Sequence, residues 1–186
     1  MEVSPLKQRV QMLQVSSNYL MKSDVVMLKK FARFVLNKFV KKSIQTKSVI
    51  KIKVVHADDL DDSIDVDDLR KYRAWCFYDG IINDRRTFTV VLNVAQANNR
   101  AKHPLIRLRN LLIDLGHELV HVKQYLNNEI FDYTDGAVRY KGSYFDSSYQ
   151  DNEEMYYDSP WEIEAYGREQ GLYKMFASNL RGQKKI

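Results

Sequence analysis

Two histidines one helical turn apart constrain this chain more than any other feature. His117 and His121 are four residues apart, and Glu118 directly follows the first of them. Residues i and i+4 lie on one face of an α-helix, so both imidazoles could reach the same ion. The spacing therefore predicts a helix that carries two metal ligands and an adjacent carboxylate.

The flanking residues predict where this helix begins and ends. Pro104 suits the first helical position after His103, and Asn127-Asn128 suit its C-terminal stop. Gly116 lies inside the helix and indicates a close neighbour at that point. Apolar residues recur at helical spacing, at Leu108, Leu111, Leu112, Leu115, Leu119, Val122 and Leu126. Basic side chains are expected mostly on the opposite side, at Arg107, Arg109 and Lys123.

The His-Glu-x-x-His pattern is typical of zinc hydrolases, in which both histidines bind Zn²⁺ and the glutamate acts as a general base. The alternative is a core helix whose histidines are only hydrogen-bonded. A catalytic zinc site usually takes three protein ligands and leaves the fourth position to water. No histidine follows His121, and His56 and His103 are expected at surface or capping positions. The third ligand should therefore be a carboxylate.

The best source of this carboxylate is segment 160–166, at the start of the last predicted helix. Glu162 shares a face with the small Ala165, which would let the two helices approach each other. Glu164 points roughly 160° away from Glu162 on the helical wheel, so Glu162 is favoured over Glu164. In the alternative, Glu162 closes a capping box with Ser159. Weaker candidates are Asp132, Asp135, Glu153 and Glu154.

Composition indicates one globular domain spanning residues 1–186. The single cysteine, Cys76, excludes an internal disulfide framework, suits a reducing compartment and is expected to be a buried, inert thiol. The chain shows neither an apolar run of 18 residues nor a signal peptide. No membrane association is therefore expected, and the cytoplasm is the expected compartment, that of the host if the protein is viral.

Charge is unevenly distributed along the chain. Residues 1–56 contain 12 Lys or Arg against Glu2 and Asp24, whereas residues 129–169 contain 11 acidic residues against three basic ones. The basic third could contact nucleic acid, or it could be a solvated face that meets the acidic regions of the same protein. Seven aspartates in 58–68 lack the glycine and closing glutamate of a calcium loop, and they indicate a solvated loop.

The order of predicted elements is α+β, with a small mixed or antiparallel sheet against the metal-binding helix and flanking N- and C-terminal helices. The elements are a helix from Ser23 or Asp24 to about Lys41, strands at 49–56, 74–78 and 86–93, the helix from Pro104, a strand or hairpin within 137–145, and a helix from Ser159-Pro160 to about Leu180. Turns are expected at Asp79-Gly80 and Asn83-Asp84.

Three segments carry further expectations. Residues 1–23 are expected to be peripheral or poorly ordered, and residues 146–158 are expected to form a mobile loop. The strand 86–93 is either a free sheet edge that aligns an extended peptide or an internal strand with no role in substrate binding.

Residues 116–124 (GHELVHVKQ) followed by 160–165 (PWEIEA) resemble the small single-domain HExxH metallopeptidases of bacteria and their phages, on the gluzincin side of the zincins and often described as SprT-like. The resemblance covers residues 104–180 well. It implies a zincin-like fold and a zinc-dependent peptidase acting on protein or peptide substrates. It also implies that His117, His121 and Glu162 bind zinc and that Glu118 is the base.

Such a site would hydrolyse a peptide bond through an activated water whose proton is taken by Glu118. The developing oxyanion needs a further donor, for which Tyr140, Tyr157 and Tyr166 are available. Two other classes remain: a non-catalytic zinc-binding interaction protein, and a DNA-associated protein or protease that uses the basic N-terminal third. Metal binding alone does not require Glu118, which favours the enzyme.

Overall fold

The protein has the α+β architecture that the element order predicted. A computed structural model describes residues 13–56, 71–100 and 103–183. Its helices are α1 (Lys22–Phe39), α2 (Lys42–Gln45), α3 (Val94–Asn99), α4 (Pro104–Leu126), α5 (Glu153–Tyr157) and α6 (Pro160–Gln183), with a 3₁₀ turn at Ser147–Gln150. No helix in these ranges is both long and apolar enough to cross a bilayer.

The larger sheet contains four strands, β1 (Leu13–Ser17), β2 (Ser48–Val55), β3 (Ala74–Ile82) and β4 (Arg85–Asn93), in the order β1-β2-β4-β3. The pairs β1-β2 and β2-β4 are parallel, and β3-β4 is an antiparallel hairpin. Its turn is Asn83-Asp84, where both residues have positive φ, as a tight hairpin turn requires. The sheet is therefore mixed, with β4 inside it.

One face of this sheet forms the main core with helices α1, α4 and α6. Alternate residues of β2 and β4 point inward, among them Ile50, Ile52, Phe88 and Val90. Gly116 of α4 lies in this core, where an added Cβ would contact the Phe31 ring at 3.4 Å and the Glu169 carbonyl oxygen at 3.6 Å. Gly116 was expected to have a close neighbour, and it has two: α1 on one side and α6 on the other.

A second, three-stranded antiparallel sheet follows α4. It comprises β5 (Ile130–Asp132), β6 (Val138–Tyr140) and β7 (Ser143–Phe145). The β6-β7 hairpin turns at Lys141-Gly142, both with positive φ, within the segment predicted to form a hairpin. Its buried side packs on Trp161 in the first turn of α6, so this sheet supports the start of the last helix.

Several local expectations are corrected by the structure. Residues 13–17 form β1, a strand paired with β2, so residues 13–23 are part of the fold; residues 1–12 lie outside the described ranges. Segment 146–158, expected to be a mobile loop, contains the 3₁₀ turn and α5. Asp79-Gly80 is not a turn: it lies within β3, where the ladder has an irregularity between Tyr78 and Gly80. The Asp-rich segment 58–68 lies outside the described residues.

The structure also corrects one expectation about burial and decides between the two alternatives for the strand 86–93. Lys123 is buried, because α6 covers the side of α4 that was expected to face solvent. The strand predicted at 86–93 is β4, which pairs on both sides and cannot be a free edge. Its hairpin partner β3 occupies the edge position, since β4 is its one strand neighbour among the described residues.

Candidate metal centre

Helix α4 brings His117, Glu118 and His121 together as the sequence predicted. It begins at Pro104, and the Nδ1 atom of His103 caps it by accepting from the Leu105 backbone N–H at 3.2 Å. His103 is thus a capping residue, fourteen positions and about 21 Å of helix from His117. The rings of His117 and His121 meet edge to face, and their Nε2 atoms are 3.1 Å apart.

Glu162 of α6 completes a group of three buried donors with these histidines. Its Oε2 lies 3.2 Å from Nε2 of His117, and its Oε1 lies 3.3 Å from Nε2 of His121. One donor atom from each residue can be chosen so that all three fall within 4.8 Å of one another. Three groups of this kind, aimed at a common point, could hold a metal ion.

The hydrogen bonds around Glu162 distinguish this arrangement from a capping box. Its Oε1 accepts from the Tyr156 hydroxyl at 2.8 Å, while the Ser159 hydroxyl and backbone N–H both donate to the Tyr156 carbonyl. Its Oε2 is buried and accepts no hydrogen bond within the described part of the chain. An unpaired buried carboxylate oxygen is costly, so a cation at this point fits the donor set.

Glu164, the other carboxylate of the motif, faces away from the histidines. It accepts hydrogen bonds from Lys123 at 2.8 Å, Tyr140 at 2.7 Å, Arg168 at 2.9 Å and Gln124 at 3.3 Å. Lys123 also bonds Glu129 at 2.6 Å, which explains how this lysine can be buried. The structure therefore places Glu162 at the candidate centre and Glu164 in a neighbouring ion-pair network.

A further carboxylate, Glu169, stands behind His117. Its Oε2 lies 3.4 Å from Nδ1 of His117 and 3.6 Å from Arg73. Arg73 also lies 3.5 Å from the buried Asp114, which pairs with Arg100. Sequence reasoning missed Glu169, although its spacing of seven residues from Glu162 puts both on one face of α6 two turns apart.

Burial and the surrounding carboxylates act in opposite directions on the imidazole pKa values. Burial disfavours the charged form of His117, but Glu162 and Glu169 outweigh it and raise the pKa of His117 to about 9. Burial likewise opposes charge on His121, and Glu162 raises its pKa. The two imidazoles in turn overcome the burial of Glu162 and hold the pKa of its carboxyl well below the usual range. The centre thus attracts positive charge.

A cleft of about 1080 Å³ opens over the three donors, and Glu118 lies on its wall. Burial raises the pKa of Glu118, against the opposing effect of the two imidazoles. Its carboxylate has no hydrogen-bond partner among the residues that the structure describes, so it is available to a molecule in the cleft. The start of β3 also lines the cleft, with residues 74–77.

Cys76, in this part of β3, is partly buried, and burial raises the pKa of its thiol well above the usual value. A thiol with a raised pKa is a poor nucleophile, which agrees with the expectation of an inert cysteine. The cleft chemistry therefore rests on the histidines and carboxylates.

The other candidate residues separate into those near the centre and those committed elsewhere. Tyr157 and Tyr166 line the cleft, together with Tyr156, which the sequence analysis did not single out. Tyr140 is instead bonded to Glu164. The weaker carboxylate candidates do not join the metal-binding group: Asp132 accepts from Tyr125, Asp135 bonds the Ala137 backbone, and Glu153 and Glu154 are exposed on α5.

Comparison with known protein families, with curated proteins and with solved structures found no match to this chain. The functional argument therefore depends on the geometry and chemistry of the centre.

Proposed function

We propose that this protein is a zinc-dependent metallopeptidase in which His117, His121 and Glu162 hold the ion and Glu118 is the general base. The observation that carries the proposal is the convergence of two Nε2 atoms and one carboxylate on a single point at the wall of an open cleft. Beside them lies Glu118, whose carboxylate has no hydrogen-bond partner in the described part of the chain.

The donor set and its spacing favour zinc over other common metals. Two imidazoles and one carboxylate are a frequent ligand set of catalytic zinc, whereas calcium and magnesium prefer oxygen ligands. A tetrahedron whose ligands lie about 2.0–2.1 Å from its centre has edges of roughly 3.3 Å. The two Nε2 atoms are 3.1 Å apart, and each lies 3.2 or 3.3 Å from a different oxygen of Glu162, so these separations are close to such edges.

Zinc bound by this centre would acidify a water molecule and polarise a substrate carbonyl. Glu118 takes the proton from the attacking water and returns it to the departing amine nitrogen. Burial raises the pKa of Glu118, which favours proton uptake by this base. The Tyr156 hydroxyl holds Glu162 and Gln124 holds His121 while Glu118 exchanges the proton.

The edge strand β3 offers a way to align a peptide in the cleft. Residues 74–77 line the cleft, and β3 has an unoccupied edge within the described ranges. An extended substrate could pair with this edge through backbone hydrogen bonds, which are tolerant of sequence. This role, first considered for 86–93, thus passes to its hairpin partner.

The test compares zinc content and peptide cleavage in matched variants. Wild-type protein should bind one zinc ion per chain after reconstitution and cleave a labelled, unfolded protein substrate. Glu118→Gln should keep the zinc and lower turnover by at least about 10²-fold, whereas His121→Ala should lose the zinc. Glu153→Gln, which changes an exposed carboxylate of the same cleft, is the control and should behave like wild type.

The results separate the enzyme from a non-catalytic zinc-binding protein. Absence of stoichiometric zinc in the wild type would exclude both. Full zinc occupancy without cleavage of any unfolded substrate, or equal cleavage by wild type and Glu118→Gln, would exclude the peptidase and leave a metal-binding interaction protein.

A second candidate function is contact with nucleic acid through the basic face of α1. Lys22, Lys30, Arg33 and Lys38 are exposed, and no ion pair joins them to an acidic residue in the described ranges. Such contacts release counterions, so retention on DNA should fall steeply with salt. Charge reversal at Lys30 and Arg33 should weaken retention on DNA at a given salt concentration. If the wild type is not retained at low salt, this function is excluded.

A further inference from the structure

Gln124 links the second histidine of the centre to the helix that supplies Glu162. It lies on α4, one turn after His121, and is fully buried. Its Nε2 donates to the Trp161 carbonyl at 3.0 Å and to Oε2 of Glu164 at 3.3 Å. Its Oε1 lies 3.0 Å from Nδ1 of His121. Two of these contacts reach α6, and the third joins Gln124 to His121 on its own helix.

The chemistry of these partners determines the orientation of the amide. The Trp161 carbonyl can only accept, and Glu164 is a carboxylate held by Lys123 and Arg168. The NH₂ group of Gln124 must therefore face both of them, because the reverse orientation would bring its oxygen against two acceptors. The oxygen of Gln124 is then directed at His121.

This orientation selects one tautomer of His121. An amide oxygen can only accept, so Nδ1 of His121 must carry the hydrogen. In the neutral ring, the lone pair then resides on Nε2, the atom 3.1 Å from Nε2 of His117 and 3.3 Å from Glu162. The nitrogen that faces the centre is thus the one that can coordinate a metal.

The same amide also sets the position of α6 against α4. Trp161 directly precedes Glu162, so the bond from Gln124 to the Trp161 carbonyl anchors the backbone beside the third donor. Glu164 is in turn fixed by the buried Lys123, the neighbour of Gln124. One side chain therefore acts on two of the three donors.

We infer that Gln124 is a positioning residue that selects the Nδ1–H tautomer of His121 and holds Glu162 in register with the histidine pair. The inference deepens the proposed zinc site and rests on it for the effect on zinc affinity; the contact between Gln124 and Nδ1 of His121 is present without any metal.

The first experiment measures the His121 tautomer by long-range ¹H–¹⁵N NMR in zinc-free protein, at a pH above the titration of both imidazoles. Wild type should show Nδ1–H. Gln124→Leu should lose this preference, because leucine cannot accept from Nδ1. An Nε2–H ring in wild type, or an unchanged Nδ1–H ring in Gln124→Leu, would overturn the inference.

The second experiment measures zinc affinity by chelator competition. Gln124→Leu should bind zinc about 10- to 100-fold more weakly than wild type. The matched control is Gln45→Leu, since Gln45 is also buried and donates to two backbone carbonyls, those of Leu36 and Val40, outside the centre. Its zinc affinity should equal that of wild type.

The two experiments distinguish failure of this inference from failure of the proposed function. If wild type binds no zinc, the peptidase proposal fails, while the NMR comparison still decides the role of Gln124. If zinc binds and Gln124→Leu matches wild type in affinity, the positioning role is wrong and the zinc site stands.

Discussion

The Nδ1 atom of His117 lies 3.4 Å from Oε2 of Glu169, on the opposite side of the ring from Glu162. Glu169 is itself 3.6 Å from Arg73, which limits where its carboxylate can move. The two carboxylates, two helical turns apart on α6, therefore hold one imidazole between them. A carboxylate behind a ligating histidine orients the ring and raises its basicity.

The first prediction concerns the contact between Glu169 and His117. Glu169→Gln should weaken zinc binding by about 10- to 100-fold, because the neutral amide favours the ligating imidazole less than the carboxylate does. Chelator competition measures the change, and Glu153→Gln serves as the exposed control. Equal zinc affinity in wild type and Glu169→Gln would show that Glu169 has only a structural role.

The second prediction concerns the pH dependence of the metal-free protein. The pKa of His117 is about 9 in the folded protein, above the value of about 6.5 expected for an unfolded histidine. Its raised pKa adds stability that is fully present below about pH 6.5 and is lost as the pH rises through about 9. Tm should therefore fall over this interval, and less so in His117→Gln. An identical pH profile in both proteins would contradict the prediction.

The third prediction separates the two acidic residues of segment 160–166. Glu162→Ala should lose zinc, because it removes a donor. Glu164→Ala should retain zinc binding but lower the free energy of unfolding, by less than the ~3–5 kcal/mol of an uncompensated buried charge because Lys123 keeps its partner Glu129. Zinc titration and chemical denaturation measure the two effects. Equal zinc retention in both variants would refute the assignment of Glu162.

The fourth prediction concerns two tyrosines of the cleft. The Tyr156 hydroxyl donates to Glu162 at 2.8 Å, so Tyr156→Phe should weaken zinc binding. Tyr166 packs its ring on His117 with centroids 4.4 Å apart, and burial raises the pKa of its hydroxyl to about 12, so it keeps its proton at neutral pH.

Tyr166→Phe keeps the ring and removes only this donor. If the hydroxyl stabilises the oxyanion, kcat should fall about 10²- to 10³-fold at unchanged zinc affinity. Tyr157→Phe, at a ring that contacts Tyr166, is the comparison and should have little effect. Wild-type turnover in Tyr166→Phe would exclude Tyr166 from this role.

Features that depend on short stretches of chain were predictable from the sequence. The spacing of His117 and His121 determines that they share a helical face, because the helix repeat is a local property of the backbone. Pro104 and the capping His103 likewise mark the helix start within a few residues. The turn at Asn83-Asp84 follows from the tolerance of these residue types for positive φ.

Features that depend on how distant elements pack were decided only by the tertiary structure. Glu162 and Glu164 differ in which face of α6 they occupy, and only the packing of α6 on α4 directs one of them to the histidines. The same packing buries Lys123 and gives Gln124 its partners, about 40 residues away along the chain. The edge position of β3 depends on strand order, which alternation of residue types does not encode. The sequence by itself thus determined the two histidines and their neighbouring glutamate, while long-range packing decided the third donor and the groups that orient all three.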